Sequence, residues 1–226
     1  AFKLSAGLAD IDLNLDDFVA RVNADLVGKY VNLASRCAGF ISQRFDGQLA
    51  GTLDAPELQQ RFVDAGNSIG EAYENREYGR AMRETMALAD EANRYIDDCK
   101  PWVLAKDPAS LPRVQAVCTQ GLNLFRLLTV YLKPVLPRVA GQAEIFLNGG
   151  PLSWSNRLQP LLGTRIAAYE ALLVRVDPDA ISRMVKSSMD TSAKAAAPAT
   201  PATTSDAAAE IELADFQKVE LRIATV

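Results

Sequence analysis

Trp102 stands where an aromatic ring could stack on another planar group. It directly follows Pro101, at the end of a long amphipathic segment. Because proline disfavours the α conformation in the residue before it, the preceding helix should end near Lys100 and leave the ring at a helix end. Such a ring either fills a core or provides a platform for a ring from outside, such as a nucleotide base.

Asn32 and Arg36 form a second group with binding chemistry. They stand four residues apart in a helical pattern and share one helix face, which Gly28 and Gly39 border and leave open. An amide and a guanidinium are well suited to paired hydrogen bonds with base edges. On spacing alone, an ordinary solvated helix flank is the better interpretation.

The residue types needed for common catalytic sites are missing from the sequence. There is no histidine among the 226 residues, and neither a phosphate-binding loop nor a nucleophile elbow is present. The acidic pairs Asp16–Asp17 and Asp97–Asp98 are adjacent, so on a helix their side chains point about 100° apart and make poor acid–base couples. We expect neither a catalytic nor a metal-binding residue in this chain.

Cysteine use and hydropathy indicate the compartment. Cys37, Cys99 and Cys118 match neither a disulfide framework nor a zinc spacing. No apolar run approaches the roughly 20 residues that span a bilayer, and no signal-peptide pattern is present. These features predict a reducing, cytoplasmic setting and no membrane partner.

The charge is too low for a general electrostatic binder of nucleic acid. The formal net charge is −4, and residues 187–226 carry −3 of it, with three basic and six acidic residues. Residues 1–186 are therefore nearly neutral. Any RNA contact must come from a local, shaped site rather than from an overall positive field.

Apolar residues recur every three or four positions and predict an all-α, antiparallel helical bundle over residues 1–186. The predicted helices cover about 15–45, 54–72, 75–100, 111–133 and 134–148, with a loop at 149–165 and a last helix after Asp177-Pro178. The first helix is expected to bury Phe18, Val22, Leu26, Tyr30, Leu33, Cys37, Phe40 and Ile41.

The composition changes after residue 186. Residues 187–209 are rich in alanine, proline and threonine and predict a flexible linker. Near-alternation of apolar residues from Lys218 to Ile223 predicts the first strand of a second domain at 210–226. Because the chain starts at Ala1 and stops within this segment, we expect it to be a piece of a longer protein.

Several segments together resemble the anticodon-binding domain of bacterial methionyl-tRNA synthetases over nearly all of residues 1–175. They are IDLNLDDFV at 11–19, RVNADLV at 21–27, NLASR at 32–36, GF at 39–40, RFDG at 44–47, ALAD at 87–90, ANRY at 92–95, PW at 101–102 and YLKPVLP at 131–137. Residues 215–224, DFQKVELRIA, are similar to the first strand of the OB-fold tRNA-binding module appended to many of these enzymes.

The resemblance implies roles for the residues singled out above. Trp102 would stack on the first anticodon base of a methionine tRNA, and Asn32 and Arg36 would bond to base edges, in keeping with how proteins read single-stranded RNA. The nucleotide fold that uses ATP and magnesium, and any structural zinc, would lie upstream of Ala1. The OB-fold module dimerises members of the family, but it is too short here to form that surface.

Two other interpretations stay open at this stage. The bundle is also shared by related class I synthetases for leucine, isoleucine, valine or cysteine, although the segments around Asn23 and Asn32–Arg36 favour the methionine enzyme. The bundle could instead be a helical adaptor that holds a protein partner and has no role with RNA.

Overall fold

The computed structural model describes the backbone of residues 14–195 and the side chains of residues 14–187. Its α-helices are α1 (Leu15–Arg21), α2 (Asn32–Phe45), α3 (Pro56–Glu74), α4 (Tyr78–Cys99), α5 (Pro101–Leu104), α6 (Leu111–Leu132), α7 (Pro137–Leu147) and α8 (Pro178–Ala195). A π-helical segment, Val22–Val31, joins α1 to α2, and 3₁₀ turns lie at Pro108–Ser110 and Ser155–Leu158. Within 14–195 the β pairing is limited to one isolated bridge, between Gln48 and Arg165. The predicted all-α bundle is confirmed.

The first helix has the predicted extent but not the predicted internal geometry. It runs without a break from Leu15 to Phe45 and ends at left-handed Asp46, as the Asp-Gly pair indicates. Its middle third is π-helical, which the sequence analysis did not anticipate. Wider π-helical turns shift the phase of the buried face, so the expectation for Phe18 was wrong: it is 45% exposed, while its neighbour Val19 is buried.

Helix α6 lies at the centre of the bundle and is buried on all sides. Every residue from Val117 to Leu132 is buried, because α2, α3, α4, α5 and α7 all pack around it. The helix predicted at 111–133 is confirmed, and it is buried on every side. A helix that is apolar all round lies in the core, and here the other helices pack against α6.

Polar side chains of α6 hold the irregular segment that follows α7. Asn123 both donates to the Leu161 carbonyl, at 2.9 Å, and accepts from the Leu161 N–H, at 2.6 Å. Arg126 donates to the carbonyls of Gln159 and Asn156, and its burial lowers the pKa of its guanidinium. Buried polar groups must be paired, and these pair with loop backbone. The predicted loop at 149–165 is therefore tied to the core.

The junction between α4 and α5 positions the tryptophan. Lys100 adopts a left-handed conformation with φ of 48°, which ends α4 at the predicted place. Pro101 is buried and opens the single turn of α5, where a missing N–H costs nothing. The end of α4 agrees with the prediction, but the immediate start of another helix was not predicted.

The chain divides into two units, Ala1–Ser182 and Arg183–Val226. In the second, α8 continues through residues 187–195, which fall within the predicted linker and contain neither proline nor glycine to end the helix. Residues 1–13, the rest of the linker and the proposed strand at 218–223 lie outside the described residues. In the described part of the chain, none of the helices is both long and apolar enough to cross a membrane.

Candidate nucleic-acid interface

Trp102 lies on the surface, in the first turn of α5. Its side chain and the next one, Val103, are 40% and 49% exposed. The second tryptophan, Trp154, fills the core instead. It packs against Tyr131 and Tyr73, with ring centroids 5.2 and 6.4 Å apart. Trp154 therefore fills a gap in the bundle, whereas Trp102 keeps an exposed ring.

Arg36 extends from α2 to the Trp102 ring. Its Cζ lies 4.9 Å from the ring centroid, within cation–π range. One guanidinium nitrogen also donates to Oδ1 of Asp97 on α4, at 2.6 Å. The ring and the carboxylate together restrain a side chain that would otherwise sample many rotamers. Two of the three predicted site residues are thus in direct contact.

Asn32 is the first residue of α2, one turn before Arg36. Its side chain is half-buried, and within residues 14–187 its amide makes no side-chain hydrogen bond. An added Cβ at Gly39, on the same helix, would meet nothing within 4 Å. The structure therefore places Asn32 one turn from Arg36, with its side-chain amide unpaired among the described residues and with open space on the helix.

A second ion pair lies two helical turns before that of Arg36. Nζ of Lys29 is 2.9 Å from Asp90 and 3.4 Å from Asp25. The hydrogen bond with Asp90 raises the pKa of Lys29, with a smaller contribution from Asp25. The two cations that the first helix directs toward α4, Lys29 and Arg36, are therefore each paired with a carboxylate. These ion pairs reduce the positive field that the two side chains would otherwise present.

Two α4 residues of this flank were not identified from sequence. Asp97 was considered only with Asp98, as a poor acid–base couple, and Asn93 was noted only as part of a family motif. Each contacts the first helix across a long sequence separation, which no local spacing reveals. Their shared face on α4 was the one available signal.

The flank combines three kinds of contact for a flat, polar group. Trp102 offers a stacking surface, Arg36 a planar cation with several donors, and Asn32 an amide with a donor and an acceptor. This combination suits an unstacked base better than duplex phosphates, which call for excess positive charge. In the part of the chain that the structure describes, no group of three or more acidic, cysteine or histidine side chains is placed to hold a metal ion.

Solved structures share the fold of this bundle. It resembles the apo methionyl-tRNA synthetase of Mycobacterium tuberculosis with a TM-score of 0.67 and 22% identity, over 74% of this chain and 35% of that one. The same bacterium's enzyme bound by methionyl-adenylate gives a TM-score of 0.65 at 22% identity, over 70% and 33% of the two chains. At this identity the likeness establishes the fold.

The family follows from the sequence. Residues 50–174, more than half of the chain, match the model of the anticodon binding domain of methionyl tRNA ligase. The chain belongs to this family. The related families for leucine, isoleucine, valine and cysteine, which the sequence alone left open, are therefore not its own. The matched range includes Trp102 and begins after Asn32 and Arg36.

Curated relatives agree with the family. The chain is 54% identical over 243 residues to the methionine–tRNA ligase of Stenotrophomonas maltophilia (strain R551-3), and 52% identical over 246 residues to that of Xanthomonas campestris pv. campestris (strain B100). Each alignment covers 100% of this chain and 35% of the relative. The chain thus spans about a third of the length of the curated relatives it matches.

Proposed function

We propose that this chain recognises the anticodon loop of methionine tRNA through the flank formed by α2, α4 and α5. The first anticodon base stacks on Trp102, and Asn32 and Arg36 bond to base edges. This is how proteins generally read single-stranded RNA, with aromatic platforms and contacts to exposed edges.

The contact between Arg36 and Trp102 is the observation that carries the proposal. The guanidinium lies over the ring at 4.9 Å and bonds to Asp97 at 2.6 Å, so a planar cation is held against a ring that is 40% exposed. A base stacking on the ring would bring its polar edge close to this cation. Membership in the anticodon-binding family supports the same ligand.

We further infer that the whole protein is a methionine–tRNA ligase, which is the name that its relatives carry. We infer also that it uses ATP and acts in the cytoplasm. In that enzyme the ATP, methionine and magnesium sites, and any structural zinc, would belong to parts of the protein outside this chain. The role of the bundle would be to select the tRNA whose acceptor end is to be charged.

Competition between RNA hairpins tests the proposal. A labelled RNA hairpin that carries the methionine anticodon is bound to the full chain. Two unlabelled hairpins then compete with it: one has the same sequence, and the other has its first anticodon base replaced. We expect the identical hairpin to compete at least about tenfold better, because a good base contact is worth roughly 1–3 kcal/mol.

Salt dependence distinguishes shaped contacts from general electrostatic binding. Shaped contacts by a nearly neutral bundle predict a shallow decrease of RNA affinity with salt, since few phosphates are neutralised.

The hairpin competition separates the proposed function from its alternatives. Equal competition by the two hairpins would refute the proposal. Absence of any RNA binding would favour the helical adaptor, and tighter binding to a leucine, isoleucine, valine or cysteine anticodon would reassign the substrate.

A further inference from the structure

The backbone just before Asn32 is held by a side chain from another helix. The π-helical segment ends directly before Asn32, whose backbone N–H donates to the Lys29 carbonyl. The same carbonyl accepts a hydrogen bond from Nδ2 of Asn93 on α4, at 3.2 Å. A π-helical turn departs from the regular α-helical pairing, so its last carbonyls depend more on outside partners. Here Asn93 is that partner.

A second hydrogen bond fixes the orientation of the Asn93 amide. Nδ2 also donates to the carbonyl of Ala89, one turn earlier on α4, at 2.8 Å. The amide nitrogen thus bonds to two carbonyl oxygens, one in its own helix and one across the helix interface. Asn93 is half-buried, which shields the bond to Lys29 from water and raises the cost of losing it.

Asn93 is the middle member of a row on α4 that faces the first helix. Before it, Asp90 pairs with Lys29; after it, Asp97 pairs with Arg36. The two carboxylates are 50% and 58% exposed, and ion pairs this open to solvent contribute little to stability. The amide is the member that bonds to main chain, and so it restrains the backbone itself.

We propose that Asn93 is a positioning residue for anticodon recognition, acting on the turn from which Asn32 projects. The inference rests on the proposed function, because the direction of the Asn32 amide matters only if that amide contacts RNA. Without the Asn93 bond, the last π-helical turn could rotate and misdirect Asn32. Trp102 would keep its place, since α5 is set by the left-handed turn at Lys100.

The variant Asn93→Ser isolates the bond across the interface. A serine hydroxyl can still bond to the carbonyl one turn earlier in its own helix, but it is too short to reach Lys29. Asn123→Ser is a matched control, because Nδ2 of Asn123 also donates to a carbonyl one turn earlier, of Thr119, and to a distant one, of Leu161. That control loosens the segment after α7 instead.

Hairpin affinity of the full chain, measured for both variants and for Asn32→Ala, tests the inference. We expect N93S to weaken binding of the methionine-anticodon hairpin about five- to tenfold, in line with one lost hydrogen bond, and N123S to leave it unchanged. Combined with N32A, N93S should have little further effect, because residues that act through one contact are not additive.

Three results would overturn the inference. They are wild-type affinity in N93S while N32A binds weakly, equal losses in N93S and N123S, and full additivity of N93S with N32A. A thermal melt of each variant is measured alongside. Failure of N93S to fold would also overturn the inference, since the amide would then hold the bundle as a whole. A wild-type chain that does not discriminate between hairpins refutes the proposed function itself, before any variant is made.

Discussion

The guanidinium of Arg36 lies over the ring of Trp102 although the two residues belong to different helices. The separation of 4.9 Å is kept by two unrelated restraints, the bond from Arg36 to Asp97 and the left-handed turn at Lys100. A stacking ring and a planar donor are therefore adjacent in the protein without RNA. A site arranged in advance loses less entropy when it binds.

Removing the Trp102 ring should weaken RNA binding without unfolding the bundle. We expect Trp102→Ala to reduce affinity for the methionine-anticodon hairpin by about one to two orders of magnitude, as loss of base stacking does. In the intact enzyme, aminoacylation should fall while methionine activation persists. Trp154→Phe is the control, because that ring fills the bundle and should change the melting temperature rather than the affinity.

The shape of the Arg36 side chain should matter as well as its charge. Arg36→Lys keeps a cation but loses the planar fork that stacks on a ring and bonds to edges, so we expect hairpin affinity to fall about tenfold. Arg80→Lys is the control, since Arg80 lies in the first turn of α4, at the opposite end of the helix from Asp97 and Trp102. Equal hairpin affinity in R36K and wild type would contradict a base-reading role.

Stability should depend on pH through Glu144. Its carboxylate accepts hydrogen bonds from Nζ of Lys133, at 2.6 Å, and from the N–H of Leu152, at 2.8 Å. The bond from Lys133 is the main cause that lowers the pKa of Glu144 below its ordinary value of 4.5. The stabilisation is therefore complete above pH 4.5 and is lost as the pH falls through the lower folded-state pKa.

Urea unfolding of Glu144→Gln at several pH values checks this. We expect the free energy of unfolding to fall by roughly 1–2 kcal/mol at pH 7 and the difference from wild type to shrink below pH 4.5. Glu91→Gln, which removes a more exposed ion pair with Arg61, should cost less than about 1 kcal/mol. A difference for E144Q that stays constant down to acid pH would refute the assignment.

Two helical glycines should respond oppositely to alanine. A Cβ at Gly121 of α6 would overlap Sγ of Cys37 and lie 3.0 Å from Cδ1 of Ile96, so Gly121→Ala should destabilise the bundle by about 1–3 kcal/mol. Adding Cys37→Ala should recover part of that loss. Gly39→Ala meets open space and should stabilise by roughly 0.5–1 kcal/mol. Denaturant midpoints of the four proteins measure each effect.

Local patterns accounted for most of the helices. The ends of α2, α4 and α7 follow from Asp46-Gly47, Lys100-Pro101 and Asn148-Gly149, where turn-forming residues or proline end a helix whatever surrounds it. The π-helical segment had no such marker. One of its carbonyls, that of Lys29, accepts a hydrogen bond from Asn93 on another helix, and periodicity along the sequence does not reveal such a partner.

The candidate site shows the same division. By itself, the sequence placed Asn32 and Arg36 on one helix face and Trp102 at a helix end, because helical spacing and proline geometry are local properties. It left open whether a tryptophan at such a place fills the bundle or faces solvent. Only the tertiary structure separated Trp154, which packs on two tyrosines, from Trp102, which is exposed beneath Arg36. Contacts between distant segments depend on how all the helices pack around α6, and no short stretch of sequence contains that information.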